Sequence, residues 1–282
     1  MNALGARFAP FGRAAALFGA RDGAAYAALL AMTAAFATLP LFVSIALAAR
    51  WLDEPDVLYA AERGVFALWP KPIARPLAQA IAEASADLSV ASLPLMALAF
   101  LVLAGNALDV LRRGLERFYA PARAGKDALR QRLRAFGYAA AAAAAAFAAA
   151  LLVATLFDLP PTAPAVEPAT PPPGAGPLLF AAQTLGGLLM VTASLLVAHT
   201  RLARGGPAAR AAVPGVAISV LAWIASVNLL ALYQTHVAPP QTLYGPFAAA
   251  FATLLFFFVG AAALLYGAAL NATLLGEGRA GP

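Results

Sequence analysis

The chain has 282 residues, of which 62% are hydrophobic and 11% charged, with a mean hydropathy of +0.79 and a net charge of +6. A soluble domain is about 45–50% apolar and about 25% charged, so this composition excludes an ordinary globular protein and, more firmly, a disordered one. The lack of cysteine excludes a disulfide scaffold and a cysteine-ligated metal site. Membrane residence is the class that remains.

The first segment, 1–23, is predicted to be cytoplasmic. It does not resemble a secretory signal, because arginines interrupt its short apolar stretches. Phe8, Phe11, Leu17 and Phe18 with these arginines favour either a helix on the membrane surface or a disordered lead-in.

Six apolar stretches are long enough to cross a bilayer, which takes about 20 helical residues. The sequence therefore predicts an all-α integral membrane protein whose membrane domain covers 24–275. The third stretch is nearly all alanine and is expected to pack inside the bundle. Small residues elsewhere predict close helix contacts, at Gly186 and Gly187 and at the four-residue spacing of Ala263, Gly267 and Asn271. The predicted spans are 24–49, 88–108, 135–157, 178–199, 211–233 and 244–275.

The connecting segments predict the orientation. Fifteen Lys and Arg residues lie in the N-terminal segment, the loops after spans two and four and the tail, and four lie on the other face. By the positive-inside rule, both termini are cytoplasmic.

Four connecting segments have recognisable character. The outer segment 52–87 predicts two amphipathic helices, broken at Pro70 and Pro72, that cover the outer mouth or lie at the interface. The basic cytoplasmic loop 109–134 begins as a continuation of span two. The outer linker 158–177 has eight prolines and is expected to be extended. A cytoplasmic tail covers 276–282.

No sequence pattern indicates an enzyme. There is no H-E-x-x-H, P-loop or G-x-S-x-G motif. The two histidines, His199 and His236, are predicted on opposite faces of the membrane, so they cannot share a metal. We therefore predict no catalytic residue, no metal and no cofactor.

Uncharged polar residues at membrane depth are costly, so they mark either hydrogen bonds between helices or the lining of a pathway. Both alternatives stay open at this point. The candidates include Thr184 and Ser219, and the predicted substrate pathway comprises Asn106, Gln183, Ser226, Asn228 and Asn271.

The arginines of the basic loop are explained by topology, by salt bridges at a solvated helix end, or by contact with anionic lipid headgroups. RNA binding is disfavoured, because the first two explanations need no ligand, so no nucleic-acid partner is expected. The predicted contacts to anionic lipid are Arg112, Arg113, Arg117, Arg130 and Arg134.

Three stretches resemble the YihY/BrkB family of bacterial inner-membrane proteins. Residues 25–30 match its A-Y-x-x-L-L opening, and residues 114–119 stand where the family often has A-L-N-x-I-W. Residues 244–245 and 267–272 match its Y-G … G-A-E-L-N-A ending, with Ala269 in place of the glutamate. The resemblance covers about residues 15–275.

The resemblance implies an inner-membrane protein for which transport or export is supposed, and whose earlier ribonuclease label is regarded as a misassignment. We therefore expect a transporter or flippase-like protein for a small or amphiphilic solute. The alternative is a non-transporting envelope scaffold that binds lipid or a partner protein. Membrane lipids and an unidentified solute are the expected partners, and the sequence leaves a homo-oligomer open.

Overall fold

The computed structural model describes residues 3–53, 71–119, 133–134, 136–138, 140, 177–236 and 248–276. Within these ranges, all regular structure is helical, as predicted. A 3₁₀ turn over Val90–Ser92 precedes α4, and a π-helical turn over Ala198–Leu202 ends α5. The α-helices are α1 (Ala3–Ala20), α2 (Gly23–Leu52), α3 (Lys71–Asp87), α4 (Leu93–Tyr119), α5 (Pro177–Val197), α6 (Ala209–His236) and α7 (Ala248–Leu274).

Five segments of the described chain are long and apolar enough to cross a membrane, and they correspond to five of the six predicted spans. Most of the third predicted span, 135–157, lies outside the described residues, as do Arg130, most of the linker 158–177 and residues 277–282. These five segments are Gly23–Leu52, Val90–Tyr119, Leu185–Leu202, Ala209–Ser226 and Ala250–Leu274.

The last helix, α7, occupies the centre of the described bundle. It packs against α1, α2, α3, α4 and α6, and it is the most buried of the five spans. Leu265, Ala268 and Ala269 on α7 are fully buried in the main core cluster. Position 269, where the resemblance expects a glutamate, therefore faces an apolar core that suits an alanine.

The predicted small-residue stripe on α7 faces α6. A Cβ on Gly267 would overlap the backbone of Gly215, and a Cβ on Gly215 would overlap that of Gly267. Ala263 accepts a hydrogen bond from Ser219, 3.0 Å away. This close approach depends on residues without bulk. Gly186 departs from the prediction, because it is exposed and a Cβ there would meet no described atom within 4 Å.

One end of the bundle, here called the arginine-rich end, collects α1, the ends of α4, α5 and α7, and the start of α6. The first segment forms a helix there, as one of the two alternatives predicted, and Tyr266 donates a hydrogen bond to the carbonyl of Phe11. Arg21 donates to the carbonyls of Arg117 and Phe118 at 2.7 and 3.2 Å. These bonds satisfy carbonyls that the last turn of α4 leaves without helical partners.

The opposite end, here called the cover end, is closed by α3. This helix begins at Lys71, in the part of the segment where the second amphipathic helix is predicted, and its Ile73 and Ile81 are fully buried. Arg50 at the end of α2 donates to the carbonyls of Ser85 and Leu88. The first predicted helix of this segment lies outside the described residues.

Candidate functional site

A buried polar cluster joins four elements at the arginine-rich end. The amide of Asn271 accepts a hydrogen bond from the Gly215 N–H at 2.7 Å and donates to the Ala212 carbonyl at 3.1 Å and the Tyr119 hydroxyl at 3.2 Å. Asn271 is fully buried. All its amide hydrogens are thereby used, which a buried amide in an apolar bundle requires. We call Tyr119, His199, Gly215 and Asn271 the amide cluster.

His199 completes the amide cluster from the π-helical turn. Its Nδ1 lies 2.6 Å from the Tyr119 hydroxyl. In this contact either the hydroxyl or the ring nitrogen donates, according to the tautomer of the imidazole. His199 is fully buried, and Nε2 has no hydrogen-bond partner among the described residues. Single π-helical turns frequently occur at functional sites.

A basic pocket opens beside the amide cluster, with a cavity volume of about 100 Å³. It lies between α4, the turn after α5, the last residue of the basic loop, Arg134, and Tyr138 near the start of the third predicted span. Four arginines and one glutamate contribute to its wall. The pocket is lined by Arg112, Glu116, Arg134, Tyr138, Arg201, Leu202, Ala203 and Arg204.

The charges of the basic pocket are unequally compensated. Arg112 pairs with Asp109 at 2.8 Å and with Glu116 at 2.7 Å, so its charge is balanced on its own helix. The ion pairs found between described residues do not include Arg134, Arg201 or Arg204. The described wall of the pocket, with four arginines and one glutamate, therefore has an excess of positive charge.

An aromatic crevice lies near the middle of the spans, between α5, α6 and α7, with a cavity volume of about 260 Å³. Its wall is apolar apart from the Ser219 hydroxyl and the Trp223 indole. Ser219 bonds to the carbonyls of Gly215 and Ala263. It thus connects the crevice to the amide cluster through Gly215. The crevice is lined by Val191, Leu195, Ser219, Val220, Trp223, Phe256, Phe257, Gly260 and Leu264.

Comparison with known families decides where this architecture belongs. The sequence model of the family described as Virulence factor BrkB matches residues 14–281. The chain belongs to the BrkB family. The resemblance drawn from its sequence is therefore confirmed, and the chain is a multi-pass membrane protein. No curated protein and no solved structure matches it significantly.

The predicted pathway residues of this BrkB-family chain occupy different environments. Asn271 bonds between helices at the arginine-rich end, whereas Ser226 and Asn228 bond to carbonyls of their own helix, those of Ala222 and Ile224. Asn106 is half-buried on α4. Gln183 lies on α5, and its side chain is outside the described part of the structure. The pathway stays a prediction.

The arginines predicted to contact lipid also occupy different environments. Arg112 and Arg113 are paired with Asp109. Arg117 lies over the Tyr26 ring, 5.4 Å from its centroid, and donates to its hydroxyl. Of the described members of this set, Arg112 and Arg134 line the basic pocket. The lipid contact itself stays a prediction.

Several site residues of the BrkB-family chain were not anticipated. Tyr119 and Gly215 gave no signal of their own, because their partners lie far away in sequence. Arg201 and Arg204 entered only as evidence of topology. The aromatic residues of the crevice are indistinguishable in sequence from ordinary apolar side chains of a span. Among the described residues, no group of three or more acidic or histidine side chains could hold a metal.

Proposed function

We propose that this BrkB-family chain is a flippase-like transporter that moves an amphiphilic solute across the bacterial inner membrane. The aromatic crevice is the observation that carries the proposal. Its apolar wall suits the hydrocarbon part of such a solute, and the Trp223 indole and the Ser219 oxygen are the polar groups in that wall. Ligand sites are typically apolar concavities with a few polar groups, and those between the helices of a bundle are common.

Two barriers flank the crevice. Toward the cover end, Ile73 of α3 packs with Phe256, and Trp223 and Phe257 pack against the same small cluster. Toward the arginine-rich end, the Ser219 hydroxyl leads to Gly215 and the amide cluster. Transport in this proposal requires each barrier to open in turn, with the crevice as the intermediate position.

The proposed membrane arrangement has six spans, the third at 135–157, and both termini in the cytoplasm. The excess of basic residues in alternate connecting segments supports this orientation. The arginine-rich end is then cytoplasmic, and α3 covers the periplasmic end. In this proposal, the chain is not an enzyme, uses no cofactor or metal and does not bind nucleic acid. Its proposed partners are membrane lipids and the solute.

The test is a flux measurement in liposomes that contain the purified chain. A fluorescent phospholipid in the inner leaflet reports flipping, because dithionite bleaches it only after it reaches the outer leaflet. An encapsulated amphiphilic dye reports its export in parallel. We expect protein-dependent movement of at least one probe.

A filling substitution connects the flux to the crevice. A Cβ on Gly260 would lie 3.5 Å from the Trp223 ring, so Gly260→Leu inserts its side chain beside the indole. Gly186→Leu adds the same bulk to α5, where a Cβ meets no described atom within 4 Å. We expect only Gly260→Leu to abolish the flux. Absence of flux for every probe, together with one stoichiometric cross-linked partner, would instead support the scaffold alternative.

A further inference from the structure

The basic pocket has the construction of an anion site. Arg201 and Arg204 reach it from the turn after α5, and Arg134 reaches it from the segment after α4. Arg134 lies 67 positions before Arg201 in sequence, so the fold brings it beside the other two. Converging guanidinium groups are the usual means of binding phosphate, since each presents several donors in a planar fork.

The turn that carries two of these arginines is fixed in place. The Arg204 N–H donates to Glu116 Oε1 at 3.3 Å. Ala203, which lies between Arg201 and Arg204 in the sequence, is buried. Gly206 lies so close to the carbonyls of His199 and Thr200 that a Cβ there would overlap them. Glu116 therefore has two tasks: one oxygen holds the turn, and the other pairs with Arg112 at 2.7 Å.

This division of tasks leaves a positive pocket. Glu116 is the carboxylate in the described wall, and it is engaged by Arg112 and the turn. The Arg112 charge is further balanced by Asp109. Arg134, Arg201 and Arg204 then supply the field that an anion would experience. A cavity of about 100 Å³ exceeds the ~30 Å³ share of one water molecule several-fold, so it has room for a phosphate group.

We propose that the basic pocket binds a phosphate group, with Arg134, Arg201 and Arg204 as its charge-bearing ligands and Tyr138 as an additional hydroxyl donor. The phosphate belongs either to a lipid headgroup or to a soluble phosphate. The site goes beyond the proposed transport function, because it binds whether or not the aromatic crevice moves a solute.

The experiment measures binding to the full chain in an uncharged detergent. One arm titrates inorganic phosphate and pyrophosphate and follows the unfolding midpoint, which rises when a ligand binds only the folded state. The other arm adds phosphatidylglycerol or phosphatidylcholine and counts retained lipids by native mass spectrometry. We expect saturable binding in at least one arm, with phosphatidylglycerol retained over phosphatidylcholine if the source is lipid.

The variant Arg201→Gln with Arg204→Gln tests the pocket itself. The turn should survive, because Arg204 holds Glu116 through its backbone N–H rather than its side chain. The matched control is Arg13→Gln with Arg210→Gln, which removes the same charge from exposed positions at the same end. Loss of two charge-assisted contacts should weaken binding by on the order of tenfold or more, and the control should leave it nearly unchanged.

The outcomes separate cleanly. Binding of soluble phosphate that the pocket variant loses identifies a free phosphate, and retention of phosphatidylglycerol alone identifies a headgroup. Equal loss in the pocket variant and the control would show a general attraction to a positive surface and would overturn the proposal. Absence of binding in both arms would overturn it as well. Neither arm measures flux, so transport can fail while this site stands.

Discussion

The two ends of the bundle are held by different interactions. At the arginine-rich end, the amide cluster and the glycine contact between Gly215 and Gly267 bring backbones together through hydrogen bonds. At the cover end, buried apolar side chains of α3, such as Ile73, pack against the spans. Hydrogen bonds and close backbone contacts require one geometry, whereas apolar contacts tolerate small changes of shape. We therefore expect the first end to be far less tolerant of substitution.

The largest expected effect is at the glycine contact. Gly267→Ala places a Cβ against the backbone carbonyl of Gly215, which cannot move without separating α6 from α7. We expect a loss of about 3 kcal/mol in the free energy of unfolding, at the upper end for overpacking. Unfolding in detergent measures it.

Gly186→Ala is the control for that substitution, because its Cβ meets no described atom within 4 Å. It should be neutral or stabilising, since alanine favours a helix over glycine by about 1 kcal/mol. Equal stability of the two variants would contradict the close α6–α7 contact.

The next effect concerns the amide cluster. Asn271→Leu leaves the Gly215 N–H and the Ala212 carbonyl without their observed partner. An unsatisfied buried polar group costs about 1–3 kcal/mol, so we expect a loss of about 2 kcal/mol in the free energy of unfolding. Chemical unfolding in detergent provides the measurement.

The same substitution at Asn228 provides the comparison. Its amide bonds to the Ile224 carbonyl on its own helix and is exposed, so Asn228→Leu should change stability by less than about 0.5 kcal/mol. If both asparagine variants lost the same stability, the difference between the two environments would not hold.

The smallest effect is expected at the cover end. Ile73→Val removes one methylene from a fully buried side chain that packs with Phe256. Such changes cost about 0.5–1.5 kcal/mol, and we expect about 1 kcal/mol. Ile224→Val, at a side chain that is 37% exposed, should cost less. A loss for Ile73→Val as large as that for Gly267→Ala would remove the contrast between the two ends.

Much of the helical architecture was predictable from local patterns. The long apolar runs correspond to five described spans, and the amphipathic pattern of the outer segment predicted a helix where α3 lies. The spacing of Ala263, Gly267 and Asn271 identified the face of α7 that meets α6. These features depend on residues a few positions apart, so a sequence displays them directly.

The candidate sites could not be predicted from such local patterns. Asn271 was a candidate for a pathway or for packing, and its partner Tyr119 lies 152 positions away. In the sequence, Arg201 and Arg204 indicate only topology, whereas the structure places the turn that carries them beside Glu116. Contacts at such separations leave no periodic trace in one sequence.

By itself, the sequence determined that this is an all-helical membrane protein, because hydropathy and helix length reflect the solvent in which a chain must fold. It also determined the family, because short motifs of the family can be recognised directly in the sequence. Only the tertiary structure decided which polar groups meet, which arginines line the basic pocket and where the aromatic crevice lies. Those properties arise when distant helices pack, since burial and charge balance belong to the surroundings of a side chain rather than to the side chain alone.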